Sequence, residues 1–171
     1  DALVNTVNTV GVMGKGIALQ FKERFPDNFA AYAAAHKRGD LQIGKMFVTE
    51  GSTLTGRPWI INFPTKEHWR QKSTIAHVRA GLEDLVRIVR GYGIRSVAVP
   101  PLGCGNGGLE WRVVRQAIEE AFAEVADVDV VIYEPTDAYS AEAKRSGVEE
   151  LTLARAILVD LIRKCSILGL D

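Results

Sequence analysis

Short, nearly unbroken apolar runs alternate along this chain with longer stretches in which apolar residues recur every three or four positions. The runs "ALVN" (Ala2 to Asn5), "KMFVTE", "WIINFP", "SVAVPPL" and "VDVVIYEP" read as strands, the third bounded by Pro58 and Pro64 and the last ended by Pro135. Between them, "IALQFKERF" sets Ile17, Ala18, Phe21 and Phe25 at helical spacing until Pro26 interrupts the pattern. "DNFAAYAAAHKRG" predicts a second helix, with basic residues in its last turn and Gly39 to close it. "STIAHVRAGLEDLVRIVRGYG" carries Ile75, Val78, Leu82, Leu85 and Val89 on one face, and "LEWRVVRQAIEEAFAEV" is a further amphipathic helix. Strands without clean alternation, separated by helices, indicate an α/β sheet covered on both faces, mostly parallel and joined by right-handed crossovers. Ligands of such sheets gather at the carboxyl ends of the strands, and the glycine-rich loops of this chain all lie there.

Past Pro135 the pattern changes. "TDAYSAEAKRSGVEE" is polar, and "LTLARAILVDLIRKCSILGL" aligns Leu151, Ala154, Leu158, Leu161 and Cys165 in one stripe. We expect one domain over residues 1–135, then a linker and a helix of a following unit over 136–171. The opening "DALVN" reads as the middle of a strand, so a preceding strand segment is expected to be missing.

Composition narrows the function classes. Of 171 residues, 47% are hydrophobic and 25% charged, the balance of a globular domain with a core. A formal net charge of +0 excludes a globally basic surface, so any nucleic-acid contact must be local. Cys104 and Cys165 make neither a disulfide framework nor a metal pattern, which favours a reducing, cytoplasmic setting. No apolar run is long enough to span a bilayer, and no signal-peptide pattern opens the chain. His36, His68 and His77 show no ligand spacing, so no metal and no cofactor are expected.

Three loops can carry chemistry. In "TVNTVGVMGKGIA", Asn5 and Asn8 sit at a strand end, where amides hydrogen-bond ribose hydroxyls or orient a water. Gly16 follows Lys15 where a P-loop needs Ser or Thr, so that reading fails. What remains is a loop opening a helix, whose free N–H groups and dipole suit a phosphate, against an ordinary turn with a solvated lysine. In "PPLGCGNGGLEW", Gly103, Gly105 and Gly108 satisfy G-x-G-x-x-G between a strand and a helix. Only one further strand follows, so a dinucleotide-binding half cannot be completed, yet the glycines still allow close backbone approach to phosphate. Cys104 in this loop is either a thiolate nucleophile or a small packed side chain. In "NFPTKEHW", Lys66 follows a buried strand; partial desolvation would lower its pKa and free an amine, whereas pairing with Glu67 would make it a surface lysine. Trp69, Arg70 and Lys72, just beyond, can stack a base and contact a phosphate, or simply start a solvated helix.

Together, "DALVNTVNTVGVMGKGIALQF", "INFPTK" and "PPLGCGNGGLEW" make the chain resemble the macrodomain family over roughly Asp1 to Pro135. The resemblance implies a three-layer α/β/α fold with a mixed, mostly parallel central sheet that binds ADP-ribose. The lysine of "NFPTK" resembles that of the lysine-using, DarG-type branch of ADP-ribosyl glycohydrolases. These are antitoxins that remove ADP-ribose from thymine in single-stranded DNA, countering a DarT-type toxin. On that resemblance Lys66 is catalytic. ADP-ribose is bound by Thr6, Val7, Asn8, Gly14, Lys15, Gly16, Ile17, Ala18, Gln20, Thr65, Leu102, Gly103, Cys104, Gly105, Asn106 and Gly107, with Asn8 at the distal ribose. The implied partners are ADP-ribosylated single-stranded DNA and the cognate toxin.

Two departures are visible. The family's upstream Gly-Asp-Ile segment, whose Asp reads the adenine amine, would precede Asp1. Related eukaryotic lysine-type hydrolases carry an aspartate where this chain has Asn106 and Gly107, so a Lys–Asp pair does not carry over. The alternatives are an ADP-ribose-binding module without catalysis, a glycohydrolase acting on ADP-ribosylated protein and, further off, a nucleotide-dependent oxidoreductase.

Overall fold

Pro26 divides what would otherwise be one long helix. Its fixed φ suits a first helical position but not a helix interior. In the computed structural model, which describes residues 1–54 and 56–135, it therefore ends one helix and starts the next. In chain order the elements are β1 (Ala2–Asn8), α1 (Gly16–Arg24), α2 (Pro26–Arg38), β2 (Phe47–Glu50), β3 (Trp59–Lys66), α3 (Ile75–Gly91), β4 (Ser96–Val99), α4 (Trp111–Phe122) and β5 (Asp129–Ile132). Helix α2 ends on Gly39 at φ +78°, the left-handed cap that only glycine adopts without strain. Thr74 caps α3 by accepting the His77 N–H. The expected linker and helix over 136–171 lie outside the described residues.

The sheet order is β2-β3-β1-β4-β5, with β2 antiparallel and the other pairings parallel. The period of two along each strand sends neighbouring residues to opposite faces. Ala2 and Val4 of β1, Ile61 and Phe63 of β3, and Val97 and Val99 of β4 pack with Val78, Leu82 and Leu85 of α3 and with Val114 and Ile118 of α4. The intervening Leu3, Ile60 and Ala98 pack against Phe21 and Phe25, and Val7 joins Met13, Ala18, Tyr32 and Ala35. Helices thus cover both faces, giving a three-layer α/β/α fold.

β1 runs three residues beyond the apolar "ALVN", where Thr6, Val7 and Asn8 continue the ladder opposite Phe63, Pro64 and Lys66 of β3. The fully buried Asn62 of β3 accepts from Asn5 Nδ2 (3.0 Å) and Asn28 Nδ2 (3.3 Å). It donates in turn to Asn28 Oδ1 (2.7 Å) and the Phe47 carbonyl (3.0 Å). This amide cluster ties β1, β2, β3 and α2 together; it satisfies both ends of the Asn62 amide, as burial demands, while Asn5 Oδ1 is buried without a hydrogen-bond partner. Asn5 is therefore an interior residue; the expectation that it faces a ligand is corrected by its complete burial.

Candidate active site

Because β1, β3, β4 and β5 are parallel, their carboxyl ends open at one edge of the sheet, and the order reverses around central β1. Such an edge leaves a crevice. Here it is a cavity of about 310 Å³. The end of β1 supplies Thr6, Val7 and Asn8; the loop after it and the start of α1 supply Gly14, Lys15, Gly16, Ile17 and Ala18. The end of β3 supplies Thr65 and Lys66, and the loop after β4 supplies Gly103, Gly105, Asn106 and Gly107. These fourteen are the nominated residues that the fold brings together.

Gln20, Leu102 and Cys104 do not line the cavity. Gln20 lies further along α1, Leu102 is fully buried in the core, and Cys104 packs against that core. The Cys104 thiol sits 3.7 Å from the Leu102 carbonyl, and burial pushes its pKa up to about 11, so it holds no thiolate near neutral pH. Conversely, Val12, Trp69, Pro100, Pro101, Tyr133, Glu134 and Pro135 line the cavity without having been nominated for ADP-ribose. The last three follow β5, and the rule that ligands collect at strand ends applies to that strand as much as to the others. Glu134 is held by Arg115 of α4 at 2.7 Å, which offsets its charge at the cavity.

The first glycine loop is shaped by Asn8. Its Oδ1 accepts the N–H groups of Val10 (3.1 Å) and Val12 (3.3 Å), and its Nδ2 donates to the Val12 carbonyl at 2.6 Å. The Tyr32 hydroxyl donates to the Asn8 carbonyl, and burial raises the pKa of that phenol further. Most of the Asn8 amide is thus committed to holding the loop, with one Nδ2 hydrogen left over. Lys15 precedes α1 without a side-chain cap. The first-turn N–H groups of α1, which no helical carbonyl can satisfy, are the donors an anion needs.

The second loop owes its shape to a close approach. A Cβ on Gly107 would stand 2.3 Å from the Gly103 carbonyl oxygen and 2.3 Å from Ser73 Oγ, so the backbone can pass there only as glycine. The Ser73 N–H donates to the Gly107 carbonyl (3.0 Å), which fixes the loop to the segment leading into α3.

Lys66 lies between the two loops. The parallel register sets it beside Asn8, with a bulge between Val7 and Asn8 that re-aims the strand at this point. Its ammonium donates to the carbonyls of Gln71 and Asn106, both at 3.2 Å. Among the described residues no carboxylate lies within ion-pair distance of it, so the pairing with Glu67 is not formed. Half-buried, it has its pKa lowered by desolvation of the charged form. Among the described residues, no group of three or more His, Cys, Asp or Glu is placed to hold a metal ion, and no helix is long and apolar enough to cross a membrane.

A three-layer fold whose parallel strand ends carry two glycine loops around one crevice matches the Macro domain family over residues 4–118, and the chain belongs to that family. It is 54% identical over 164 residues to a DNA ADP-ribosyl glycohydrolase of Mycobacterium tuberculosis, covering 96% of this chain and 46% of that protein. The structure is similar to the macrodomain of Mycobacterium tuberculosis DarG, with a TM-score of 0.77 at 61% identity over 79% of this chain and 89% of that one. It is also similar to Thermosipho africanus DarTG in complex with ADP-ribose, with a TM-score of 0.74 at 38% identity over 80% of this chain and 38% of that one. The chain spans about half the length of the full-length glycohydrolases it matches, 46% and 48% in two cases.

Proposed function

We propose that the chain is an ADP-ribosyl glycohydrolase that releases ADP-ribose from thymine bases of single-stranded DNA, and that it serves as the antitoxin to a DarT-type DNA ADP-ribosyltransferase in a reducing cytoplasm. The observation that carries the reading is the position of Lys66 Nζ, held by two backbone carbonyls at the cavity between the two glycine loops. The likeness to a relative named a DNA ADP-ribosyl glycohydrolase, and to a solved DarTG in complex with ADP-ribose, supports ADP-ribosylated DNA as the class of substrate.

In this reading the first-turn amides of α1 and the "GCGNGG" backbone hold the diphosphate from two sides. The remaining Nδ2 hydrogen of Asn8 meets the distal ribose. The bond between C1″ of that ribose and the base then breaks, its electron pair leaving with the base, which takes up a proton. Lys66 acts as a neutral amine. Two N–H groups suffice to satisfy the Gln71 and Asn106 carbonyls, so loss of a proton costs neither hydrogen bond and exposes a lone pair to C1″. The adduct opens to an imine, and water hydrolyses it to free ADP-ribose and lysine. Overall, one water is consumed for each bond broken.

The test is release of ADP-ribose from a single-stranded oligonucleotide carrying ADP-ribosylated thymine, with the parent and Lys66→Ala compared. Release by the parent, lost in a mutant that still binds ADP-ribose, is the expected result; borohydride should trap the parent as a covalent adduct. Binding without release by either protein would leave an ADP-ribose-binding module instead.

A further inference from the structure

Apart from the Gln71 carbonyl that holds Lys66, the segment just beyond that lysine has no part in the proposed bond cleavage, yet it reaches the same cavity through Trp69. Trp69 lines that cavity while remaining 46% exposed, an unusual setting for so large an apolar ring. The His68 ring lies 5.3 Å from it at 28°, and the Arg70 guanidinium sits 4.5 Å from its centroid. Lys72, also exposed, runs beside the second glycine loop, its Cδ 4.0 Å from where a Cβ on Gly108 would be. Among the described residues neither Arg70 nor Lys72 has an ion-pair partner.

The segment is also held in shape. Gln71 Oε1 accepts the His68 N–H (2.9 Å), the His68 carbonyl accepts the Gln71 N–H (3.0 Å), and His68 Nδ1 accepts the Arg70 N–H (3.2 Å). The Gln71 carbonyl in turn anchors Lys66. An aromatic plate and two cations that lack an ion-pair partner among the described residues are therefore presented from one internally bonded turn, whose Trp69 lines the cavity and whose Gln71 carbonyl holds Lys66.

We propose that Trp69, Arg70 and Lys72 form the subsite for the nucleic-acid strand of the substrate: a base stacks on the Trp69 ring in place of the Arg70 guanidinium that lies over it, and flanking phosphates lie against the two cations, Arg70 swung off the ring among them. This rests on the reading that the substrate is ADP-ribosylated DNA. A protein acceptor brings no obligatory π-face with anions on either side of it, whereas every nucleotide of a strand does. The strand must be single, because in a duplex both faces of a base are already covered by its neighbours. With a formal net charge of +0, the local cations have to supply what a basic surface would otherwise give.

The test measures binding in the Lys66→Ala background with three probes: free ADP-ribose, an oligothymidylate carrying one ADP-ribosylated thymine, and an ADP-ribosylated peptide. The oligonucleotide is expected to bind more tightly than ADP-ribose. Trp69→Ala should weaken it about ten- to hundredfold, the range for loss of one stacked base, with free ADP-ribose weakened far less. Trp69→Phe should restore most of the loss. Replacing Arg70 and Lys72 with Gln should flatten the slope of log affinity against log salt by about 1.4, as two released counterions require. An oligonucleotide that binds no better than ADP-ribose, a Trp69→Ala change that weakens both equally, or a peptide with the same Trp69 dependence would each overturn the proposal. The two readings also fail separately. Trp69-dependent strand binding without release by the parent keeps the subsite and discards the hydrolase. Release indifferent to Trp69 keeps the hydrolase and discards the subsite.

Discussion

Replacing Gly107 with alanine tests whether the second loop positions the lysine. The added Cβ would stand 2.3 Å from the Gly103 carbonyl oxygen and 2.3 Å from Ser73 Oγ, against 3.4 Å for the closest ordinary contact, so each is about 1 Å too short. The Ser73 hydroxyl can rotate away. The Gly103 carbonyl cannot, because it belongs to the backbone and already accepts the Leu109 N–H at 3.0 Å. The loop itself must therefore shift, and with it the neighbouring Asn106 carbonyl that holds Lys66 Nζ at 3.2 Å. Overpacking of this kind costs about 1–3 kcal/mol of stability. A displacement near 1 Å at a reacting centre costs on the order of 10²-fold in rate. We expect kcat for ADP-ribose release to fall by that factor and ADP-ribose affinity to weaken, with a lower midpoint of urea unfolding. Gly14→Ala is the matched control. Its Cβ would meet nothing nearer than Val12 Cγ1 at 3.7 Å, so the fold should keep its stability while a methyl group at the cavity wall weakens ADP-ribose. A Gly107→Ala protein with the parent's kcat and the parent's affinity would refute the link between the loop and the lysine.

Three further outcomes can be measured. Desolvation lowers the Lys66 pKa, so the neutral amine fraction grows as pH rises and kcat should climb to a plateau with its midpoint below the ordinary lysine value; a rate that falls over that range would assign Lys66 the role of a cation. Asn62→Ala strips partners from Asn5, Asn28 and the Phe47 carbonyl. At about 1–3 kcal/mol for each of the two fully buried amides left unpaired, a loss of at least about 2 kcal/mol is expected, read as a drop in the urea midpoint at unchanged m-value. With Cys165 replaced by Ser, Cys104 should react slowly with iodoacetamide at neutral pH and about tenfold faster per pH unit towards its pKa of about 11; rapid labelling at pH 7 would contradict its burial.

The local features of this chain are written in local chemistry. The spacing of Ile75, Val78, Leu82, Leu85 and Val89 determined one helix and its buried face, Pro26 divided α1 from α2, and Gly39 closed α2. The two glycine loops and Lys66 were legible as well, since glycine clusters and a lysine after an apolar run stand out without any neighbour in space. What the tertiary structure alone decided are the relations between distant residues. Which strand lies next to β1 depends on crossovers and on packing across the whole sheet, so only the fold sets Asn8 beside Lys66 and brings the Asn106 carbonyl to its amine. Burial decided the rest. Asn5 and Asn8 look equivalent in sequence, but one is drawn into an interior amide cluster and the other ties a loop. Cys104 and Leu102 sit in a loop that faces the cavity while their own side chains turn to the core, because an apolar group at a strand end gains more from leaving water than from lining a polar crevice.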